Sequence, residues 1–165
     1  MPTRPRNRWA RASSWACRCD VGRPADKDCL ILHASTVALD GRAVVITGRA
    51  GAGKSALALQ LMALGAGLVS DDRTCIWKEG ETLWADAPGT IRGQIEARFV
   101  GILNAVAVGP ARARLWVDLG REETLRLPEK KTVTVLGLSR PLLHNVQMQH
   151  FPAAILHYLK SGRRD

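Results

Sequence analysis

The 165-residue sequence has no apolar run long enough to cross a membrane as a helix. Its longest apolar stretch, Ala56 to Val69, is broken by Gln60, Gly65 and Gly67 and falls short of the ~20 residues required. It lacks the apolar central segment of ~7–15 residues that marks a secretory signal. The three Asp among residues 1–28 argue against an organelle transit peptide. The expectation is a cytoplasmic protein with no membrane partner. Cysteine is scarce: Cys17, Cys19, Cys29 and Cys75. Their spacing misses the C-x2-4-C pattern of a zinc site. A metal cluster on Cys17, Cys19 and Cys29 is the minor reading, and reduced thiols in a reducing compartment the main one. Aromatic residues make up 5% of the chain, and the five Trp (Trp9, Trp15, Trp77, Trp84, Trp116) are scattered. Core or hairpin packing accounts for them better than base stacking. No internal repeat or low-complexity tract is present.

What the chain does have in excess is positive charge, +9 in all. The charge is uneven. Residues 1–28 hold seven Arg or Lys against three Asp, and show no apolar period. This reads as a basic, disordered leader, followed by one folded domain over 29–165, a length that suits a single core. A basic surface attracts anions of many kinds, so the sign alone does not choose a partner.

Order is expected from about Leu30. Val37 to Leu39, Asp40-Gly41, then Ala43 to Thr47 reads as two strands around an Asp-Gly hairpin turn. Gly48 to Gly53 is a glycine-rich loop. Ser55 to Leu64 is a helix rich in Ala and Leu, stopped by Gly65. Gly67 to Ser70 is a short buried strand ending at Asp71-Asp72. Thr74 to Trp77 and Thr82 to Trp84 suggest a second hairpin around Lys78-Glu79-Gly80. Residues 85–93 form a Pro/Gly loop, and Gln94 to Ala107 is ambiguous between strand and helix. Leu115 to Leu119 and Thr132 to Leu136 are strand-like, and Ala153 to Lys160 looks like a closing helix before Gly162. Interspersed strands and helices predict an α/β domain with a mixed sheet.

The strongest motif is Gly48-Arg49-Ala50-Gly51-Ala52-Gly53-Lys54-Ser55, a full match to G-x-x-x-x-G-K-[ST]. A chain this long shows that pattern by chance about one time in a hundred. The apolar Val44-Val45-Ile46 before it and the helical segment after it supply the context the motif needs. Glycines let the backbone approach phosphate oxygens, and successive N–H groups at a helix start face the anion. Lys54 can reach the β and γ phosphates, and the Ser55 hydroxyl can face Mg2+.

Phosphate chemistry needs an acid nearby. Leu68-Val69-Ser70-Asp71-Asp72 and Leu115-Trp116-Val117-Asp118 both place carboxylates at strand ends. A right-handed crossover after the loop helix would lay Gly67–Ser70 parallel to Val44–Thr47. Asp71 and Asp72 would then emerge at the carboxyl edge of the sheet, where ligands of open α/β sheets bind. One could accept a proton while the other holds a metal. A solvated pair capping a turn before Arg73 is the plainer reading. Asp118 is taken as a second acid or a turn residue.

His33, Ala43 to Ser55, Leu68 to Asp72 and Ile95-Glu96-Ala97-Arg98-Phe99-Val100-Gly101-Ile102-Leu103, in that order, resemble the catalytic domain of HPr kinase/phosphorylase. The likeness runs over roughly residues 30–127. It implies a P-loop domain with a phosphoenolpyruvate-carboxykinase-like fold and an ATP- and Mg2+-dependent serine kinase. The acceptor it implies is HPr, the phosphocarrier of the phosphotransferase system. It also implies a short form without the extra N-terminal domain of long members, a homo-oligomer (a hexamer in the family), and no nucleic-acid partner. By position, residues Gly48, Arg49, Ala50, Gly51, Ala52, Gly53, Lys54 and Ser55 would bind nucleotide. Asp71 would take the proton of the target serine. Ser55, Glu96 and Asp72 would contact Mg2+. His33, Arg98 and Arg126 would complete the catalytic centre. On residue chemistry alone, His33 beside Leu30-Ile31-Leu32 could equally pack or cap, and Glu96 with Arg98 could be a surface ion pair.

The sequence departs from the family pattern in four places. Ala56 stands for a common Glu, Phe99 for a Gly and Asn104 for an Asp. Residues 145–150 lack the Gly-Arg-Asn feature tied to phosphorolysis, so kinase activity is expected with weak or absent reverse activity. Two rival readings stay open: a P-loop small-molecule kinase or NTPase, and a non-catalytic module that senses nucleotide or binds nucleic acid through the leader. The H-R-D and D-F-G motifs of eukaryotic-type protein kinases are absent.

Overall fold

The computed structural model describes residues 29–164. The leader, with Trp9, Trp15, Cys17 and Cys19, lies outside the described residues. A nine-stranded mixed sheet forms the body, in the order β1-β5-β6-β9-β3-β2-β4, with β11 also pairing β9 and β10 pairing β11. The strands are β1 (Leu30–Leu32), β2 (Ala34–Leu39), β3 (Arg42–Thr47), β4 (Gly67–Ser70), β5 (Thr74–Glu79), β6 (Thr82–Asp86), β9 (Ala111–Glu122), β10 (Lys131–Val135) and β11 (Leu138–Asn145). A two-stranded sheet of β7 (Gln94–Ala97) and β8 (Gly101–Asn104) stands apart. The helices are α1 (Lys54–Ala63) and α2 (Phe151–Ser161).

The Asp-Gly turn forms as its chemistry requires. Asp40 and Gly41 both take positive φ, 51° and 71°, and close the antiparallel β2–β3 hairpin. β3 then alternates. Val44 and Ile46 pack with Leu57, Leu61 and Ile155 beneath the two helices. Ala43 and Val45 pack on the other face with Ile76, Leu83 and Trp116. One strand thus serves two cores, which is why Ala43 to Ile46 reads as a continuous apolar run.

β3, β9 and β11 run parallel to one another. β4 points the same way as β3, since both are antiparallel to β2, but β2 lies between them. The crossover after α1 therefore skips one strand, and the carboxyl end of β4 still opens on the loop side. The ambiguous 94–107 stretch resolves as the β7–β8 hairpin. β11 carries no clear sequence signal, because Pro141 interrupts it. The proline is tolerated because pairing to β9 begins only at Leu142. Trp77 and Trp84 stack across the β5–β6 hairpin at 6.5 Å, and Trp116 is buried, in line with a packing role.

One expectation is corrected. Cys29 and Cys75 are not free thiols but are joined by a disulfide. The antiparallel pairing of β1 with β5 brings the residue before Leu30 beside Cys75, with Cα atoms 5.8 Å apart. No helix among the described residues is long and apolar enough to cross a membrane.

Candidate active site

Three separated pieces of sequence meet at the carboxyl edge of β3 and β4. The first is the loop 48–53. Gly48 has φ 154°, and a Cβ there would sit 3.1 Å from the Ala52 Cβ and 3.2 Å from that of Leu119, so the loop closes against β9 only with glycine at that position. Gly53, φ 93°, caps α1 in a left-handed conformation. The loop therefore turns its backbone toward the start of α1, where unpaired N–H groups gather.

Lys54 is buried, with 7% exposure. Its ammonium donates to the carbonyls of Gly48 and Arg49, each at 3.2 Å, and lies 3.0 Å from His33 Nε2. Burial pushes the Lys54 pKa below its ordinary value, and the charges of Asp72 and Asp71 oppose that shift. An ammonium has only donors to offer, so His33 Nε2 accepts. The ring proton then sits on Nδ1, which donates to Asp72 Oδ1 at 3.0 Å. His33 is thereby a bridge between the loop lysine and the second aspartate rather than a packing residue.

The second piece is Asp71-Asp72. Asp71 is 6% exposed and accepts three hydrogen bonds: from Ser35 Oγ at 2.6 Å, from Ser55 Oγ at 2.8 Å and from the Glu96 N–H at 3.0 Å. Asp72 stays exposed, at φ 64°, a conformation Asp tolerates better than most residues. This directs it away from Asp71 and toward His33. Ser35 carries no motif and is not legible as a site residue. Its one sequence signal is a pair of hydroxyls, Ser35-Thr36, in a strand that is apolar elsewhere.

The third piece is the β7–β8 hairpin. Ile95 and Ala97 are buried and Glu96 is exposed, so Glu96 faces the cleft. Arg98, just past the strand, brings its guanidinium over the loop at Gly51. Glu96 and Arg98 form no ion pair with each other among the described residues. Together with His33, Lys54, Ser55, Asp71 and Asp72 they line a cleft of about 580 Å3, within the range of small-molecule sites.

Two candidates stand elsewhere. Arg126 is exposed in the loop after β9 and does not line the cleft. Asp118 lies within β9, paired with Thr47 of β3, and its Oδ1 accepts the Gly120 N–H at 2.8 Å. It faces an apolar cavity shared with Thr47 and Trp116, so it is a strand residue rather than the turn residue or second acid the sequence suggested.

Ser55, Asp71, Asp72 and Glu96 carry oxygen donors of the kind a hard cation such as Mg2+ takes, but among the described residues no three His, Cys, Asp or Glu are gathered to hold a metal ion by themselves. Positive donors at the loop face negative acceptors across the cleft. The arrangement can hold a polyphosphate on one wall and orient a hydroxyl on the other.

Comparison with known proteins agrees with that chemistry. The family described as HPr Serine kinase C-terminal domain matches residues 27–113. HPr kinase/phosphorylase of Chloroherpeton thalassium is 35% identical over 133 residues, covering 73% of this chain and 38% of that protein. HPr kinase/phosphorylase of Pediococcus pentosaceus is 38% identical over 92 residues, covering 55% and 29%. Among solved structures, the Hpr(Ser) kinase/phosphatase from Coxiella burnetii superposes with a TM-score of 0.67 at 24% identity, over 79% of this chain and 94% of that one. That likeness shows the fold. The chain spans 38% of the length of the Chloroherpeton relative.

Proposed function

The chain belongs to the HPr serine kinase C-terminal domain family, and on that premise we propose that it transfers the γ-phosphoryl group of ATP to a serine of an HPr-like phosphocarrier protein. The observation that carries the reading is the convergence of Lys54, His33, Asp71, Asp72, Glu96 and Arg98 on one cleft. Nucleotide phosphates rest on residues 48–55. Lys54 leaves the Gly48 and Arg49 carbonyls to neutralise charge on the β and γ phosphates, and Arg98 meets them from above. Asp71 orients the incoming serine hydroxyl and accepts its proton. Ser55, Asp72 and Glu96 would hold Mg2+, which when bound screens the phosphate charge. Most of the rate enhancement comes from positioning and electrostatics.

A protein acceptor fits better than a small molecule. The segment after Asp72 is the β5–β6 hairpin, not an arginine-bearing lid. Beside Arg98, the side chains of Phe99, Val100 and Ile102 stand out in solvent, Phe99 wholly so. An apolar patch at the mouth of an active cleft suits a macromolecular substrate. Self-association, a hexamer by family likeness, and a cytoplasmic setting belong to the same proposal. In that setting the Cys29–Cys75 bond would meet a reducing thiol pool. Phosphorolysis is expected to be weak or absent, since residues 145–150 read Asn-Val-Gln-Met-Gln-His.

The test mixes the purified protein with labelled ATP, Mg2+ and the HPr-like carrier of the same genome. The product is mapped by mass spectrometry. Phosphoserine on the carrier, lost in Lys54→Ala, is the expected result. Tight ATP binding with no transfer to any carrier would instead favour a nucleotide sensor.

A further inference from the structure

A second opening lies on the other side of the phosphate loop. An open groove of about 390 Å3 lies between the loop, the first two turns of α1 and the segment joining β11 to α2. Gly53 and Ala56 line both this opening and the acidic cleft. The two form one trough that crosses the start of α1.

Chemistry sets the direction of a nucleotide along that trough. In-line transfer needs the acceptor oxygen opposite the bridging oxygen that leaves. The terminal phosphoryl group must therefore face the wall that holds Asp71 and Asp72. The rest of the nucleotide has to leave the loop at the opposite end, past Ala56, and that end is the second opening. Its wall suits a base. Gln60, Asn145, Gln147 and Gln149 bring amide groups that both donate and accept, while Met148 and Phe151 offer apolar surface. No carboxylate lines it, so nothing there repels the α phosphate. The volume lies within the range of small-molecule sites.

The competing location is the apolar cavity of about 230 Å3 between β1 and the β10–β11 hairpin. It shares no residue with the phosphate cleft. Thr47 and Trp116 place it on the face of the sheet opposite α1, and the Asp118 carboxylate in its wall opposes an approaching phosphate.

We infer that the opening between α1 and the β11–α2 segment is the nucleoside subsite, taking the base and ribose of the nucleotide whose phosphates rest on Gly48–Ser55. The inference rests on the nucleotide-dependent function proposed above. Residues 145–149 thereby gain a role in binding the donor.

Two measurements test it. Wild-type protein is photolabelled with 8-azido-ATP and Mg2+, and the labelled peptides are mapped. Label within 145–152 or at Gln60 is expected; label within Leu30–Leu32 or Val133–Leu142 would overturn the assignment. Binding of ATP and of inorganic tripolyphosphate is then compared in wild type, Gln60→Trp and Gln147→Trp. Both positions are exposed, so the indole fills the opening without disturbing a core. ATP affinity should fall by at least about tenfold, toward that of tripolyphosphate, whose own binding stays unchanged. Unaltered ATP affinity in both variants, with binding still lost in Lys54→Ala, would remove the subsite and leave the phosphate site standing. A folded wild-type protein that binds neither ligand would remove the nucleotide reading itself, and the subsite with it.

Discussion

Asp71 sits where two roles compete. Its Oδ1 accepts from both Ser35 and Ser55, and its Oδ2 accepts only the Glu96 amide, so one lone pair on Oδ2 stays available for a substrate proton. Asp71→Asn keeps the shape and removes the charge. Transfer should fall by roughly 10^2–10^4-fold while ATP affinity is kept, as read from single-turnover rates and nucleotide titration. Full transfer in that variant would move the base to Asp72. A separate pH effect lies outside the cleft, at His144 on β11. Burial pushes its pKa below the ordinary value, Lys131 and Arg121 push the same way, and Glu123 and Asp118 oppose them. The folded state thus resists protonating His144 while the unfolded chain protonates near pH 6.5. Its contribution to stability is present above that pH and is lost as pH falls below it. Thermal melts at pH 7.5 and 5.5 should show a smaller acid loss in His144→Asn than in wild type. Glu123, lowered by its hydrogen bond to Lys131, loses its contribution only further down, as pH falls below the usual carboxylate range.

Under the proposed function, the β7–β8 hairpin is the element that would link the nucleotide to an acceptor. It anchors Asp71 through the Glu96 amide and carries Arg98 over the loop. At its tip Phe99 adopts φ 66°, a conformation that favours glycine and costs other residues roughly 1–2 kcal/mol. A strained, wholly exposed ring beside the cleft gains no packing energy within the chain, which fits a contact with the proposed carrier. Phe99→Gly should raise stability by about 1 kcal/mol in urea unfolding. It should also raise KM for the carrier while leaving KM for ATP unchanged. An unchanged carrier KM would detach the tip from acceptor binding. In the sequence, 94–107 is ambiguous because the hairpin buries only Ile95 and Ala97, too few positions for a period to show.

At the scale of the whole molecule, the sheet is sandwiched by its two cores, and β1 joins its edge through three residue pairs with β5. The Cys29–Cys75 disulfide, with a sequence separation of 46, fastens that edge. His33 follows β1 directly, so the bond also holds the bridge between Lys54 and Asp72. Restricting the unfolded chain over such a loop contributes about 2–4 kcal/mol. Urea unfolding with and without reductant should differ by that amount, and Cys29→Ser should match the reduced protein without any reductant. Identical midpoints for oxidised and reduced protein would show that strand pairing alone holds β1.

The phosphate loop, the helix after it, the hairpins at Asp40-Gly41 and at Lys78-Glu79-Gly80 and the acidic strand end were legible because each is local. A glycine that needs positive φ, a lysine after it and a continuous apolar strand before it carry their reasons within ten residues. The meeting of His33 with Lys54, of Ser35 with Asp71, of Cys29 with Cys75 and of β11 with β9 was decided by tertiary structure. Each joins residues that only strand order brings together, 21 apart for Lys54 and His33, 36 for Ser35 and Asp71. The sequence by itself determined that a phosphate-loop pattern leads into a helix and that two carboxylates end the strand after it. Only the folded sheet decided which carboxylate is buried under three donors and which is left exposed beside the histidine, because burial and hydrogen-bond supply are set by neighbours distant in the chain.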